Sequence, residues 1–460
     1  MITRLIQSGT VYDVTLGCEG QIRDIAVCGD RIIALDEVAR MDEVVDASGL
    51  VVTPAAVDCA AHVAFPGVWH LQASGLFPDT ETIALRYAQR GFGYVHESWT
   101  TLEHAGTVHN AWARVPSLNV SIGLCLPLYD LIGWIEAQDM RAAGCAVERL
   151  CQVLGLRGLY LPEPGLRFRN EIYKHREKSP EELLPFLLEA LVSLQGPLMV
   201  PAKALADEVA KGSLSGLHGQ RITEFLEQEA PWDQVVDHVL RSGIGGDLGL
   251  PWPENGVQLR WRREASGIKG HRWDVGTHLF LQAEPLPEKD FRDDEAAMAL
   301  MVKAKEKGWA FSCRHANLAL VQDWKGLVEA VLNVWTIRDW LLATRLHSAK
   351  ALGFEDKGHL CPGAQADIAM YRQPEEDTPA GWAHAFSTCE RLYIKGNLVY
   401  DASRGDRVLR ARTEPVQSPK KPDVNRELLS AFFEGLSLRP ETLTRLVAGR
   451  RPRMGCALTA

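Results

Sequence analysis

The chain has 460 residues, 46% of them hydrophobic and 24% charged, with a formal net charge of −9. That length allows about three domains, or one large barrel with a small partner, and a large core without staples. The apolar content excludes a disordered chain. The acidic balance argues against general nucleic-acid affinity, and no apolar run approaches the ~20 residues of a membrane span. Met1-Ile-Thr-Arg leads straight into a strand-like segment, so no signal peptide is expected. Ten cysteines are scattered without a CxxC pair and read as reduced core thiols of a cytoplasmic protein.

The first 55 residues read as short strands at Leu5–Gly9, Gly20–Cys28 and Arg31–Leu35, with turn signals at Gly17, Gly29 and Gly49. From residue 56 the rhythm becomes strand, loop, helix. Apolar strands are expected at Ala55–Cys59, Phe92–His96, Ser117–Leu126, Leu156–Leu161, Pro197–Pro201, Thr277–Gln282 and Trp309–Cys313. Helical periodicity falls at Thr82–Gln89, Arg141–Leu154, Pro180–Leu194, Ile222–Gln228, Asp233–Arg241 and Asp293–Lys307. Thr336 with Asp339 resembles a capping box and starts a helix running to about Leu352. Strand signals return at Gly363–Tyr371 and Arg391–Tyr400.

β/α alternation over this span predicts an α/β fold, a parallel barrel or a doubly wound sheet. The predicted division is a composite β domain from residues 1–55 and 352–410, a barrel over 56–351, and a tail over 411–460. The tail carries nine basic and five acidic residues, net +4, leaving −13 for the body. It reads as a solvated arm or as a contact arm for another protein chain.

Three stretches carry a resemblance. Val45–Asp58 is similar to the lead into barrel strand 1 of the amidohydrolase superfamily. Ala343–Gly353 with Lys357-Gly358-His359-Leu360 and Gly363–Ile368 is similar to its barrel exit, and Leu392–Tyr400 to its final hairpin. The implied fold is a TIM-type (β/α)8 barrel with a small composite β-sandwich from both chain ends. Within the superfamily, Val57-Asp58-Cys59-Ala60-Ala61-His62-Val63-Ala64 resembles the strand 1 motif of the amidohydrolase-type subunit of formylmethanofuran dehydrogenase. This family includes the corresponding chain of the bacterial formyltransferase/hydrolase complex. His96-Glu97-Ser98 and Arg314-His315-Ala316-Asn317 resemble its strand 2 and strand 8 segments.

That resemblance implies hydrolysis of an N-formyl amide to formate at two zinc ions. The metals would be held by a His-x-His on strand 1, a carboxylated lysine in mid-barrel and further histidines, with an aspartate at the last strand moving the proton. Matched residue by residue, the strand 1 histidines fall on Ala60 and His62, the lysine near Gly158–Tyr160, later histidines on Leu198–Ala202, and the aspartate on Arg314. Two negatives do not depend on alignment. The first lysine is Lys174, and none of the 14 histidines forms a His-x-His or HExxH. No metal or other cofactor is therefore expected, with His62 the residual metal candidate.

His62, His96, His104, His109 and His315 fall near predicted C-terminal strand ends, the functional face of a barrel. His62, His96, His315 and Arg314 are the catalytic candidates at the barrel mouth. The plainer reading, which is preferred for the histidines, is relic or hydrogen-bonded polar residues on the barrel mouth. Arg314 and Lys203 are candidate anchors for a small anion, since arginine suits a carboxylate; internal salt bridges are the plain alternative. The leading expectation is a degenerate subunit that holds protein partners of a formyltransferase/hydrolase-type complex in one-carbon metabolism. An active C–N hydrolase with a rearranged site and a small-anion or cofactor-binding protein are carried beside it.

Overall fold

The computed structural model describes residues 2–64, 69, 72, 78–115, 117–126, 137–161, 197–201, 220–223, 245–249, 257–262, 272–274, 280–285, 295–313 and 324–405. Five strands open the chain: β1 (Thr3–Asp13), β2 (Cys18–Cys28), β3 (Arg31–Ile33), β4 (Glu43–Asp46) and β5 (Leu50–Pro54). β1 and β2 form an antiparallel hairpin that turns at Gly17, whose φ of +70° favours glycine.

The rhythm then changes to parallel strands. These are β6 (Ala56–Ala61), β7 (Phe92–Thr100), β8 (Asn119–Cys125), β9 (Leu159–Tyr160), β10 (Leu198–Pro201), β11 (Gln220–Thr223) and β12 (Gly245–Gly249). Next come β13 (Val257–Arg262), β14 (Arg272–Asp274), β15 (Phe280–Pro285) and β16 (Ala310–Ser312). β17 (Ile368–Arg372), β18 (Cys389–Ile394) and β19 (Asn397–Asp401) follow.

β6 to β12 and β16 form one eight-stranded parallel sheet, paired in that order. Its two edges meet: the amide of Cys313, just past β16, donates to Asp58 Oδ2 on β6 at 3.1 Å. Val57, Cys59, Tyr94, Trp99, Cys125, Tyr160, Met199 and Ala310 come from six of these strands and pack into one inner cluster. Ala349 and Leu352, from the helix end at Ser348–Ala351 and just beyond, join it. A separate and larger apolar layer packs the strands against the helices Thr80–Gln89, Ala105–Ala113, Met140–Leu154 and Trp324–Leu332.

Strands from both chain ends make a second sheet in the order β19-β18-β17-β5-β1-β2-β3, with β4 on β1. β17 runs antiparallel to β5, pairing Ile368 with Pro54 and Met370 with Val52. Ile6, Val11, Ile25, Val27, Ile32, Val52, Ile368 and Met370 fill its core. A buried pair, Lys357 Nζ to Asp367 Oδ2 at 2.7 Å, lies beside this joint, with Lys357 also 5.3 Å from the ring of Tyr94 on β7.

Two expectations change. Ile222 and Thr223 lie in a barrel strand, so no helix begins at Ile222, and residues 224–228 lie outside the described residues. The strand expected at Thr277–Gln282 is β15, which leaves the barrel and pairs antiparallel with β13 and β14. Strand seven is instead β12. Among the described residues Cys18, Cys28, Cys59, Cys125, Cys151, Cys313, Cys361 and Cys389 are free thiols. The capping box holds as read: Thr336 Oγ1 accepts from the Asp339 amide, and Asp339 accepts from the Thr336 amide at 2.9 Å. The helix beyond it passes through a π-helical turn, Leu342–His347. Residues 411–460 and the helix expected at Pro180–Leu194 lie outside the described residues. Among the described residues no helix is long and apolar enough to cross a membrane.

Candidate functional site

The inner face near the C-terminal ends of β6, β7 and β9 is aromatic. His62, one residue past β6, stacks on Trp99 with ring centroids 3.7 Å apart and planes at 20°. Trp99 meets Tyr160 of β9 at 5.5 Å, and Met199 of β10 lies in the same cluster. Ala60 on β6 is also buried there. Trp99 faces inward because the β7–β8 register shifts between Glu97 and Thr100. Such a bulge re-aims the side chains that follow it.

His96 lies further down β7, with Nδ1 2.7 Å from Ser121 Oγ on β8. Gly123 leaves the space beside it; a Cβ there would come 2.9 Å from His96 Nε2. His104 and His109 are not on this inner face. His104 bonds Thr101 Oγ1 and edges Trp69, and burial pushes its pKa down to about 4. His109 lies on Ala105–Ala113 and meets the Leu154 carbonyl at 2.8 Å, tying two outer helices. Arg314, His315 and Lys203 lie outside the described residues.

Three buried acids that sequence reasoning did not single out as site residues organise this end of the barrel. Asp58 accepts from Tyr87 OH at 2.6 Å, the Ala60 amide and the Cys313 amide, and burial raises its pKa to about 6. Asp247 on β12 accepts from Ser312 Oγ at 2.6 Å and Cys59 Sγ at 3.5 Å. It thereby links strands one, seven and eight. Glu97 Oε2 accepts the Val63 and Ala64 amides at 2.9 and 2.7 Å and Trp112 Nε1 at 3.2 Å. Among the described residues its Oε1 has no hydrogen-bond partner, and burial raises its pKa to about 7. Among the described residues no three His, Cys, Asp or Glu side chains converge as a metal-binding group.

No family model matches the chain. The chain is similar to Protein FwdA of Methanocaldococcus jannaschii, at 21% identity over 86% of this chain and 87% of that one. It superposes on a chain of the formyltransferase/hydrolase complex FhcABCD from Methylorubrum extorquens, solved with methylofuran. That match has a TM-score of 0.71 at 16% identity and covers 96% of both chains. The chain has an amidohydrolase-superfamily fold. D-aminoacylase, whose structure defined a subset of amidohydrolases, matches with a TM-score of 0.55 at 13% identity, over 87% of this chain and 96% of that one. A dihydroorotase of Lactobacillus johnsonii is 22% identical over 87% of this chain and 99% of its own length. The chain thus spans most of the length of each of these proteins.

Proposed function

We propose that this chain is a catalytically degenerate amidohydrolase-like subunit, related to FwdA and the FhcABCD complex. Its task is to hold protein partners of a formyltransferase/hydrolase-type complex in one-carbon metabolism. We place it in the cytoplasm and divide it into a composite β domain, residues 1–55 and 352–410, and a barrel, residues 56–351, with the basic tail over 411–460 as a contact arm. The observation that carries this reading is the His62–Trp99–Tyr160 stack.

The family resemblance implies two zinc ions held at strands one, four and five. Zinc takes nitrogen, thiolate or carboxylate ligands with one open position at a catalytic site. Here those strands offer Ala60, Tyr160 and Met199, packed in an apolar cluster. His62, the one histidine of that motif, is stacked against an indole. These residues do not fit a binuclear centre, and no lysine occurs before Lys174 to carry a carbamate. No step of a zinc mechanism is therefore written for this chain. A scaffold role keeps the barrel while filling its metal pocket with apolar side chains, which gain about 25 cal/mol per Å² of apolar surface removed from water.

The test is purification of the native complex, with zinc content and subunit composition measured together. The reading expects formyltransferase-type subunits at fixed stoichiometry and zinc unaffected by His62→Ala. Stoichiometric zinc lost on His62→Ala would overturn it. One observation favours an active C–N hydrolase as a second reading. Asp58, with a pKa near 6, and Asp247, bonded to Ser312, stand at the seam of strands one, seven and eight, where acid–base chemistry could run. Formate release that falls on Asp247→Asn would favour that reading.

A further inference from the structure

The end-strand sheet packs on the barrel through β5, β17 and β18, which give Val51, Ala369 and Ile394 to the large apolar layer. Its other half, β4, β1, β2 and β3, carries an apolar row on the face turned away from the sheet's own core. Val44 pairs with Leu5, Leu5 with Ala26, and Ala26 with Ile33, so one row crosses four strands. The alternate residues Ile6, Ile25, Ile32 and Val45 point the other way, into the core. Leu5 and Ile33 are half-buried, and Val44 is 53% exposed. Leu35, two residues past β3, and Met41, two residues before β4, are 47% and 50% exposed. Single exposed apolar residues are ordinary, but a contiguous apolar face with a polar rim marks a contact surface.

The rim of this face is acidic. Asp42 and Asp46 flank Val44 on β4, Asp24 lies two residues before Ala26 on β2, and Asp36 and Glu37 follow Leu35. The bases beside them are Arg31, already paired with Asp356 at 2.6 Å, and Arg40, 3.5 Å from Asp42. The face is therefore net negative. The described residues end at Gly405, and the chain leaves beside this rim. Asp401 pairs with Arg391, and Arg391 Nη1 donates to the Asp46 carbonyl at 3.4 Å. The sequence beyond has the complementary chemistry. Residues 411–460 carry a net charge of +4, and Val424, Leu428, Phe432 and Leu436 recur every fourth residue, the spacing of one apolar helix face. The 18 residues 406–423 span up to about 60 Å when extended, enough to lay that stripe anywhere on the row.

We infer that the outer face of β4-β1-β2-β3 is the docking surface of this chain's own C-terminal arm. The Val424–Leu436 stripe covers the Val44–Leu5–Ala26–Ile33 row, and the basic residues around the stripe meet the acidic rim. Burial of the two apolar strips drives the contact, and the opposite charges set its orientation. The inference rests on the reading of residues 411–460 as a contact arm and names the surface that the arm takes. Zinc content and loss of hydrolysis have no bearing on it.

The experiment is hydrogen–deuterium exchange of the purified full chain, read by mass spectrometry. A free helix this short is marginal in water, so the amides of residues 424–436 gain lasting protection only when docked. They should exchange about 10-fold slower than in a synthetic peptide of the same residues, at every protein concentration tested. Val44→Asp should return them to the peptide rate while β1 and β2 stay protected. Leu35→Asp, which lies off the strands, should do the same and serves if Val44→Asp does not fold. Peptide-rate exchange in the wild type would overturn the inference, and so would equal protection in either folded variant. Protection that grows with protein concentration would put the arm on a second copy, and protection present only in the native complex would put it on a partner subunit. Either result overturns docking on the chain's own sheet.

Discussion

Replacing Glu97 by Gln separates the charge of the buried acid from its hydrogen bonds. Glu97 is fully buried and its pKa is raised from 4.5 to about 7, with burial the largest cause and the nearby Asp58 charge adding to it. The folded pKa exceeds the unfolded one, so the folded state holds its proton between pH 4.5 and 7 while the unfolded state has lost it. The stability tied to this group is fully present below about pH 4.5 and is lost as pH rises toward 7. At about 1.36 kcal/mol per pH unit, the loss reaches ~3 kcal/mol. Glutamine keeps one carbonyl oxygen for the Val63 and Ala64 amides and Trp112 but does not ionise. The stability difference, variant minus wild type, should therefore rise by ~3 kcal/mol between pH 4.5 and 8. Any constant offset reports the changed hydrogen bonds, and Asp58 largely cancels in the difference. Urea unfolding followed by tryptophan fluorescence at several pH values measures it. A difference flat across that range would refute the assignment of a near-neutral pKa to Glu97.

Other perturbations test the packing that holds the site. Trp99→Ala should cost ~3–5 kcal/mol by emptying the centre of the aromatic stack, and an unchanged urea midpoint would show that the stack is not packed as described. Gly246→Ala would place a Cβ 2.1 Å from the Trp309 ring, so a loss of ~1–3 kcal/mol is expected in the same assay; equal stability would deny the contact. Lys357→Met should cost ~3–5 kcal/mol by stranding Asp367, and Lys357→Met with Asp367→Asn should recover much of it. Additive losses in that double-mutant cycle would mean the pair is not coupled.

Much of the fold was legible in residues with local signatures. The turn glycines, the Thr336–Asp339 box and the hairpin after Arg391 all mark their elements within a few positions. The antiparallel insert was misplaced although its signal was present. Val257-Gln258-Leu259-Arg260-Trp261-Arg262 alternates apolar and polar, the period of a half-exposed antiparallel strand, not of a parallel barrel strand buried on both faces. Strand β12 hid in the glycine-rich Gly245-Gly246-Asp247 run, where Gly246 exists to admit Trp309. At the site, His62 and His96 were found because histidine at a strand end is visible in one dimension. The stack that decides their role was not. Trp99 and Tyr160 meet across a barrel, and Trp99 points inward only because of a register shift that no local pattern announces. Asp247 is likewise defined by partners from β6 and β16, both far away in sequence.

The most direct test of the central claim is formate release from an N-formylated amine by the purified full-length chain, with and without added zinc. The account predicts no release above buffer in either condition. Release that depends on zinc and disappears on His62→Ala would contradict it.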